Sequence, residues 1–146
     1  TTDFEADSTQ VGMTMMGIDA RYNNGAFQAR GQYTFADLEN TAEFNAKTSS
    51  DVGSKLLGYY IEAGYNLLEG KSENELIAFA RYENYNTHEE TDGFDANLAY
   101  DRTDKTFGLT YKLNQGAAFK ADYQLKSNEA SPEETKHFNL GVAVWF

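Results

Sequence analysis

The sequence predicts an all-β fold in which antiparallel strands follow one another as a meander. Segments of alternating apolar and polar residues recur along the chain, and turn-forming residues separate them. A single proline leaves nearly every backbone N–H free to join a ladder. The clearest alternation is at the carboxy terminus, where small or polar residues separate the members of an apolar row: Phe138, Leu140, Val142, Val144 and Phe146.

Seven strands are predicted, near residues 11–22, 26–36, 56–68, 75–86, 105–113, 117–127 and 137–146. After the first strand, Asn23-Asn24-Gly25 tolerates positive φ, so a tight hairpin leads into the cleanly alternating second strand. Residues 37–54 are rich in Asn, Ser, Thr and acid and are predicted to form a long loop. The third strand has an apolar row from Leu57 to Leu67, and a short turn ends it.

The fourth strand is less clear because both of its faces carry apolar residues. Our interpretation turns Arg81 and Glu83 inward. Residues 87–104 are predicted to be the longest loop, with a short strand extension over residues 94–100. A tight turn at Asn114-Gln115-Gly116 joins the fifth and sixth strands, and a polar loop that contains Pro132 precedes the last strand.

Composition favours a transmembrane β-barrel over other membrane and soluble classes. No segment approaches the roughly 18 to 20 apolar residues of a membrane-spanning helix, whereas each predicted strand can supply the roughly 9 to 11 residues of a tilted transmembrane strand. Ten Tyr and ten Phe suit the two aromatic girdles of such a barrel. The lack of Cys excludes a disulfide scaffold, and the net charge of −11 argues against nucleic acid as a partner.

Loop lengths orient the predicted barrel. The gaps between strands alternate between long and short, and outer-membrane barrels place short turns in the periplasm and long loops outside. Residues 1–10 are then the tail of an extracellular loop. With this orientation an odd number of strands cannot close the barrel, so residues 1–146 are predicted to be one segment, the carboxy-terminal part of a larger barrel. The alternative is an eighth strand in residues 1–10, which lack an apolar row.

Two further interpretations concern the chain's processing and its acidic loops. No signal peptide is recognisable, so the sequence predicts a processed or truncated chain. Much of the acid lies in the gaps between strands. Either these loops are simply solvated, or they share divalent cations with the phosphates of lipopolysaccharide.

The strand sequences also carry a resemblance to known families. The final apolar row and its terminal Phe resemble the carboxy-terminal assembly signal of Gram-negative outer-membrane β-barrels. Nearly the whole chain resembles the closing strands of porins of the phosphate-selective porin O/P type and porin-like proteins of Bacteroidetes, through these segments: Arg30-Gly-Gln-Tyr33, Leu57-Gly-Tyr-Tyr-Ile-Glu-Ala-Gly-Tyr65, Ala78-Phe-Ala-Arg-Tyr-Glu-Asn-Tyr85, Gly108-Leu-Thr-Tyr-Lys-Leu113 and Lys120-Ala-Asp-Tyr-Gln-Leu125. Such porins are much longer. The resemblance implies an outer-membrane location, with lipid, lipopolysaccharide, the barrel assembly machinery and other membrane-protein subunits as partners.

Nine charged side chains fall on the polar faces and are the candidates to line a pore: Arg21, Arg30, Glu62, Arg81, Glu83, Lys112, Lys120, Asp122 and Lys126. Rings of basic side chains can favour anions. Alternatively, opposite charges pair across strands and leave a wet, unselective wall. The predicted function is passive diffusion of small hydrophilic solutes, including ion transport. The alternative is a non-conducting barrel that holds partners in a membrane complex.

No enzyme, catalytic residue, metal site or cofactor is predicted. His88 and His137 lie at or beside loops without metal-ligand spacing, and no Ser lies in a nucleophile-elbow sequence. His88 has acidic neighbours but is predicted to be solvated. The acidic segments 92–95 and 101–104 lack the spacing of an EF-hand. A soluble lipocalin-type barrel would turn its apolar face inward, which the aromatic-flanked rows and terminal Phe disfavour.

Overall fold

A computed structural model describes residues 10–113 and 116–145, with only the backbone of Pro132. Three expectations from the sequence therefore fall wholly or largely outside the described residues. They concern the loop tail in residues 1–10, the turn residues Asn114 and Gln115, and the terminal Phe146.

The described residues form one seven-stranded antiparallel sheet whose strands neighbour one another in sequence order. This confirms the predicted all-β meander of seven strands. The strands are β1 (Gly12–Asn24), β2 (Phe27–Glu39), β3 (Lys55–Asn66), β4 (Glu75–Glu90), β5 (Asp101–Leu113), β6 (Ala117–Asn128) and β7 (Ser131–Val144). The sheet is open, with β1 and β7 at its two edges.

The predicted long loop at residues 37–54 is partly helical, so that prediction was wrong. β2 continues to Glu39, and α1 spans Thr41–Thr48 between two residues with left-handed backbone, Asn40 (φ 62°) and Ser49 (φ 55°). The Asn45 side chain holds the returning chain, because its amide donates to the Val52 carbonyl (2.8 Å) and accepts from the Val52 N–H (2.9 Å). Neither α1 nor any other helix in the described residues has the length and apolar character needed to cross a membrane.

The strands around the other two long gaps extend further than predicted. β4 runs on to Glu90, and residues 94–100 form no strand extension. They end instead in a 3-10 helix over Leu98–Tyr100, where the Asn97 side chain accepts from the Ala99 N–H. Instead of the predicted loop around Pro132, the chain makes a tight turn at residues 129–130. Asn128 Oδ1 stabilises this turn by accepting from the N–H groups of Ala130 and Ser131.

The antiparallel register gives the sheet two chemically different faces. Successive side chains alternate between faces, so the residues paired across strands extend each row over the whole sheet. One such row joins Ile18, Tyr33 and Tyr59, and it lies on an apolar face that is largely exposed. The other face carries the charged residues. Ala36 and Ile77 are the only buried hydrophobic residues in the described part of the chain, so the sheet lacks an ordinary hydrophobic core.

Candidate functional site

A cavity of about 330 Å³ lies on the polar face, near the end of the sheet with the short β1–β2 and β5–β6 turns. We call it the polar cavity. It brings together five of the nine residues predicted to line a pore: Arg21, Arg30, Glu62, Lys112 and Lys120. Sequence reasoning missed the neutral part of its lining, which includes Gln28, Phe79 and Thr110. Their positions on the polar faces of the strands could have identified them, but only charged residues were selected as candidates to line a pore.

The best-connected charge at the polar cavity is Glu62, which lies between two arginines on neighbouring strands. The register places Arg30, Glu62 and Arg81 side by side on β2, β3 and β4. Arg30 donates from Nε to Glu62 Oε1 (2.9 Å) and from Nη2 to Glu62 Oε2 (3.2 Å). Arg81 Nε donates to Glu62 Oε2 over 2.9 Å, and its guanidinium lies 4.6 Å from the centre of the Tyr60 ring. Only 14% of the Glu62 side chain is exposed.

The remaining predicted pore-lining charges are also paired, except for one. Glu83 lies 3.7 Å from Arg81. Three further ion pairs cross or follow the strands at 2.8–3.3 Å: Lys112 with Glu75, Lys120 with Asp122, and Lys126 with Asp104. Arg21 has no ion-pair partner in the described part of the chain. The polar face is therefore locally neutral over most of the sheet, with a surplus of positive charge at the β1 edge of the cavity.

A second cluster ties together the two long loops at the opposite end of the sheet. Its centre is His88, which is 4% exposed. The expectation of a solvated histidine was therefore wrong. His88 Nδ1 accepts from the Asn97 N–H over 3.2 Å, which leaves Nε2–H to donate to the Asp51 carbonyl. The ring also packs against Phe94 and Tyr100, with centroid distances of 5.5 and 4.2 Å.

Two side-chain hydrogen bonds extend this cluster, which we call the loop junction. Tyr100 donates its hydroxyl to Asp51 Oδ2 over 3.0 Å, and this hydrogen bond raises the pKa of Tyr100 above its ordinary value. Thr41 Oγ1, at the start of α1, donates to Asp92 Oδ2 over 2.9 Å. His88 and the two carboxylates thus serve to hold residues 40–54 and 91–100 together as one unit.

The acidic segments considered as calcium sites do not converge in the structure. Asp92 accepts from Thr41, Asp101 accepts from Asn84 Nδ2 over 3.0 Å, and Asp104 pairs with Lys126. Among the described residues, no three His, Cys, Asp or Glu side chains are grouped closely enough to hold a metal ion.

Comparison with known proteins places the chain in no established family. No protein-family model matches it, and no solved structure matches it significantly. An uncharacterized protein of Aquifex aeolicus (strain VF5) is 31% identical over 110 residues. That alignment covers 73% of this chain but 25% of the Aquifex protein, so the chain spans about a quarter of the length of this relative.

We expect Glu62→Gln to lower the free energy of unfolding by about 1–3 kcal/mol, because two partly buried guanidinium groups lose their shared carboxylate. Denaturant titration would measure the change. Glu83→Gln is the matched control, since Glu83 is on the same polar face but makes one ion pair at 3.7 Å. Equal effects of the two substitutions would contradict a special role for Glu62.

We expect His88→Ala to make chymotrypsin cleave the 91–100 loop about tenfold faster or more. Loss of two hydrogen bonds, each contributing about 1 kcal/mol, frees the loop to open locally. The sites after Phe94, Leu98 and Tyr100 would report this opening in limited proteolysis. His137→Ala is the control, because His137 is exposed on β7 away from the loop junction. An unchanged rate for His88→Ala would show that the junction does not restrain the loop.

Proposed function

We propose that this chain is part of an outer-membrane β-barrel of the porin type, through which small hydrophilic solutes, with anions as candidates, diffuse passively. The observation that carries this proposal is the arrangement of aromatic, small and charged side chains on the exposed apolar face. The resemblance of the strand sequences to porins agrees with it.

Two oblique rows of aromatic side chains cross the apolar face, and between some neighbouring strands they step by two residues from the directly paired position. The row nearer the long loops contains Tyr33, Tyr59, Tyr82, Phe107, Tyr123 and Phe138. The row nearer the short turns contains Tyr22, Phe27, Tyr65, Tyr111 and Phe119. Neighbouring rings approach within each row, at 6.2 Å for Tyr59 and Tyr82 and 6.3 Å for Tyr22 and Phe27. Such rows correspond to the girdles at the two membrane interfaces.

The band between the aromatic rows carries no charge in the part of the chain that the structure describes. It consists of glycine and of small and aliphatic side chains: Ile18, Ala20, Ala29, Gly31, Ile61, Ala63, Ala78, Ala80, Leu109, Ala121 and Leu140. Charged residues on this face lie beyond the aromatic row nearer the long loops, for example Lys55, Lys105 and Lys136. Leu140 and Ile61 are 76% and 61% exposed. So large an exposed apolar surface is unfavourable in water and is stabilised by contact with hydrocarbon.

The open sheet requires further strands in a membrane. β1 and β7 run in the same direction because an even number of reversals separates them. Closing the barrel with antiparallel pairs alone therefore needs an odd number of additional strands. Unpaired edge N–H and C=O groups in lipid would each cost several kcal/mol. We infer that a longer form of the protein or another subunit supplies these strands, and the Aquifex relative is long enough to contain them.

On the polar face, paired charges and neutral polar groups form a wall that water can solvate. Around the polar cavity, Arg30, Lys112 and Lys120 each have a carboxylate partner, so Arg21 supplies the surplus positive charge that favours small anions there. A barrel that holds partner proteins without conducting would present the same apolar face, so conductance separates these two functions. At the carboxy terminus, the row from Phe138 to Phe146 would be the segment read by the barrel assembly machinery.

We expect Ile61→Arg to destabilise the protein in lipid vesicles by about 2–4 kcal/mol, because the charge would enter hydrocarbon. At an exposed site in water the same change would cost within about 0.5 kcal/mol. A guanidinium titration would follow the band that migrates as folded protein without boiling. Gln124→Arg, on the polar face of β6, is the control. Equal stabilities for the two variants would contradict a lipid-facing position for Ile61.

We expect the double substitution Arg81→Gln and Lys120→Gln to shift the reversal potential in planar bilayers toward cation selectivity. Each change leaves a carboxylate, Glu62 or Asp122, with less positive charge beside it. Lys136→Gln removes a charge from the opposite face and should cause no comparable shift. An unchanged potential in the double variant would remove Arg81 and Lys120 from any role in selectivity, and a protein that inserts without conducting would support the partner-holding barrel.

A further inference from the structure

Two charged residues at the β1 edge lack the cross-strand partners that similar residues have elsewhere on the polar face. Asp19 and Arg21 are exposed and take part in no ion pair in the described part of the chain. On β2, the register places Gln32 opposite Asp19 and Arg30 opposite Arg21. Arg21 therefore has a like charge on its paired side, an arrangement that is unfavourable without a nearby carboxylate.

Four ion pairs of the polar face join neighbouring strands, whereas Lys120–Asp122 and Arg81–Glu83 lie within one strand. Arg30 and Arg81 share Glu62, Lys112 pairs with Glu75, and Lys126 pairs with Asp104. Each of these pairs joins two neighbouring strands, and the paired residues are opposite one another in the register. The same pattern at the β1 edge requires charges on a strand that would lie beyond β1.

We propose that the free edge of β1 pairs with an antiparallel strand that carries an inward acidic residue opposite Arg21 and an inward basic residue opposite Asp19. Because the strand runs antiparallel to β1, its sequence contains the acid first and the base two positions later. The inference rests on the proposed function, since barrel closure is what brings a strand to this edge. The two charge pairs would select the partner strand and would also fix its register against β1.

The partner strand has two other requirements. Its outward residues opposite Ile18 and Met16 are apolar, since they continue the lipid-facing band. Near the long loops, Met13 and Met15 point to the polar face, yet they are 63% and 59% exposed. The register pairs them with Leu38 and Ala36, so a small apolar patch ends abruptly at the β1 edge. Inward apolar residues six and eight positions after the acid would cover it.

Neither β7 nor a second copy of β1 meets these requirements in a membrane. β7 would run parallel to β1, and the middle of its polar face carries His137, Asn139 and Gly141 without a charged pair. A second β1 does contain acid and base two positions apart, Asp19 and Arg21, and could pair antiparallel about Ala20. That arrangement would place the long loops of the two copies on opposite sides of the membrane, so the partner is a strand of different sequence.

Binding of synthetic strands to the chain in detergent micelles would test the proposal. Two fluorescent 12-residue peptides with the same alternating apolar residues would differ only in the order of one Glu and one Lys on the inward face. We expect the peptide with Glu first to bind about fivefold tighter by fluorescence anisotropy, because it makes two attractive pairs where the other makes two repulsive ones. The difference should shrink as salt concentration rises.

The charge-swapped chain, Asp19→Arg with Arg21→Asp, is the matched variant, and its peptide preference should reverse. Equal binding of the two peptides, or a preference unchanged by the swap, would overturn the proposal. Ala20→Cys introduces the only thiol, since the chain has no Cys. Rapid disulfide dimerisation of this variant after insertion into lipid vesicles would also overturn it, because a second copy would then cover the edge in a membrane. Peptide preference is measured separately from the stability of Ile61→Arg in lipid. A failure of the proposed membrane location can therefore be distinguished from a failure of the proposed edge strand.

Discussion

The antiparallel register is the constraint on which the rest of this structure depends. A slip of one residue between two strands would move every side chain of the slipped strand to the opposite face. Register shifts occur at two places, between Lys55 and Leu57 and between Lys126 and Asn128, and both lie toward the long loops. The aromatic rows, the uncharged band and the Glu62 ion pairs all lie where the register is continuous. A single set of backbone pairings therefore produces the apolar face and the charged wall together.

Alternation in the sequence was sufficient to predict the seven strands and to group the charged side chains on one face of each strand, because both depend on local period-two patterns. Arg30, Glu62 and Arg81 were assigned to polar faces on this basis. Their shared ion pairs were not predicted, since these depend on the offset between β2, β3 and β4, which the turns determine. The loop junction was missed for a related reason. His88 is buried by Phe94, Tyr100 and the returning chain at Asp51, contacts that composition alone does not reveal.

The energetic balance of the isolated sheet is unusual for a protein of this length. Hydrophobic burial contributes little to it, since Ala36 and Ile77 are the only buried hydrophobic side chains among the described residues. Backbone ladders, cross-strand pairs and the loop junction remain, and the net contribution of each hydrogen bond in water is small. In a bilayer the same apolar face would gain the missing hydrophobic stabilisation, and backbone pairing would become obligatory. The surroundings that stabilise the face thus also require the edges to be paired.

In the proposed barrel, this requirement would link closure to selectivity. Arg21 lies in the polar cavity and, of the predicted pore-lining charges, is the one without an ion-pair partner in the described residues. If the strand beyond β1 supplies a carboxylate there, Arg21 becomes part of a locally neutral wall like the rest of the sheet, and the cavity loses much of its positive surplus. A neutral residue at that position would instead leave Arg21 free to attract anions. Because Arg30 already pairs with Glu62, charge selection in this part of the proposed barrel would be decided mainly by the sequence of the neighbouring strand.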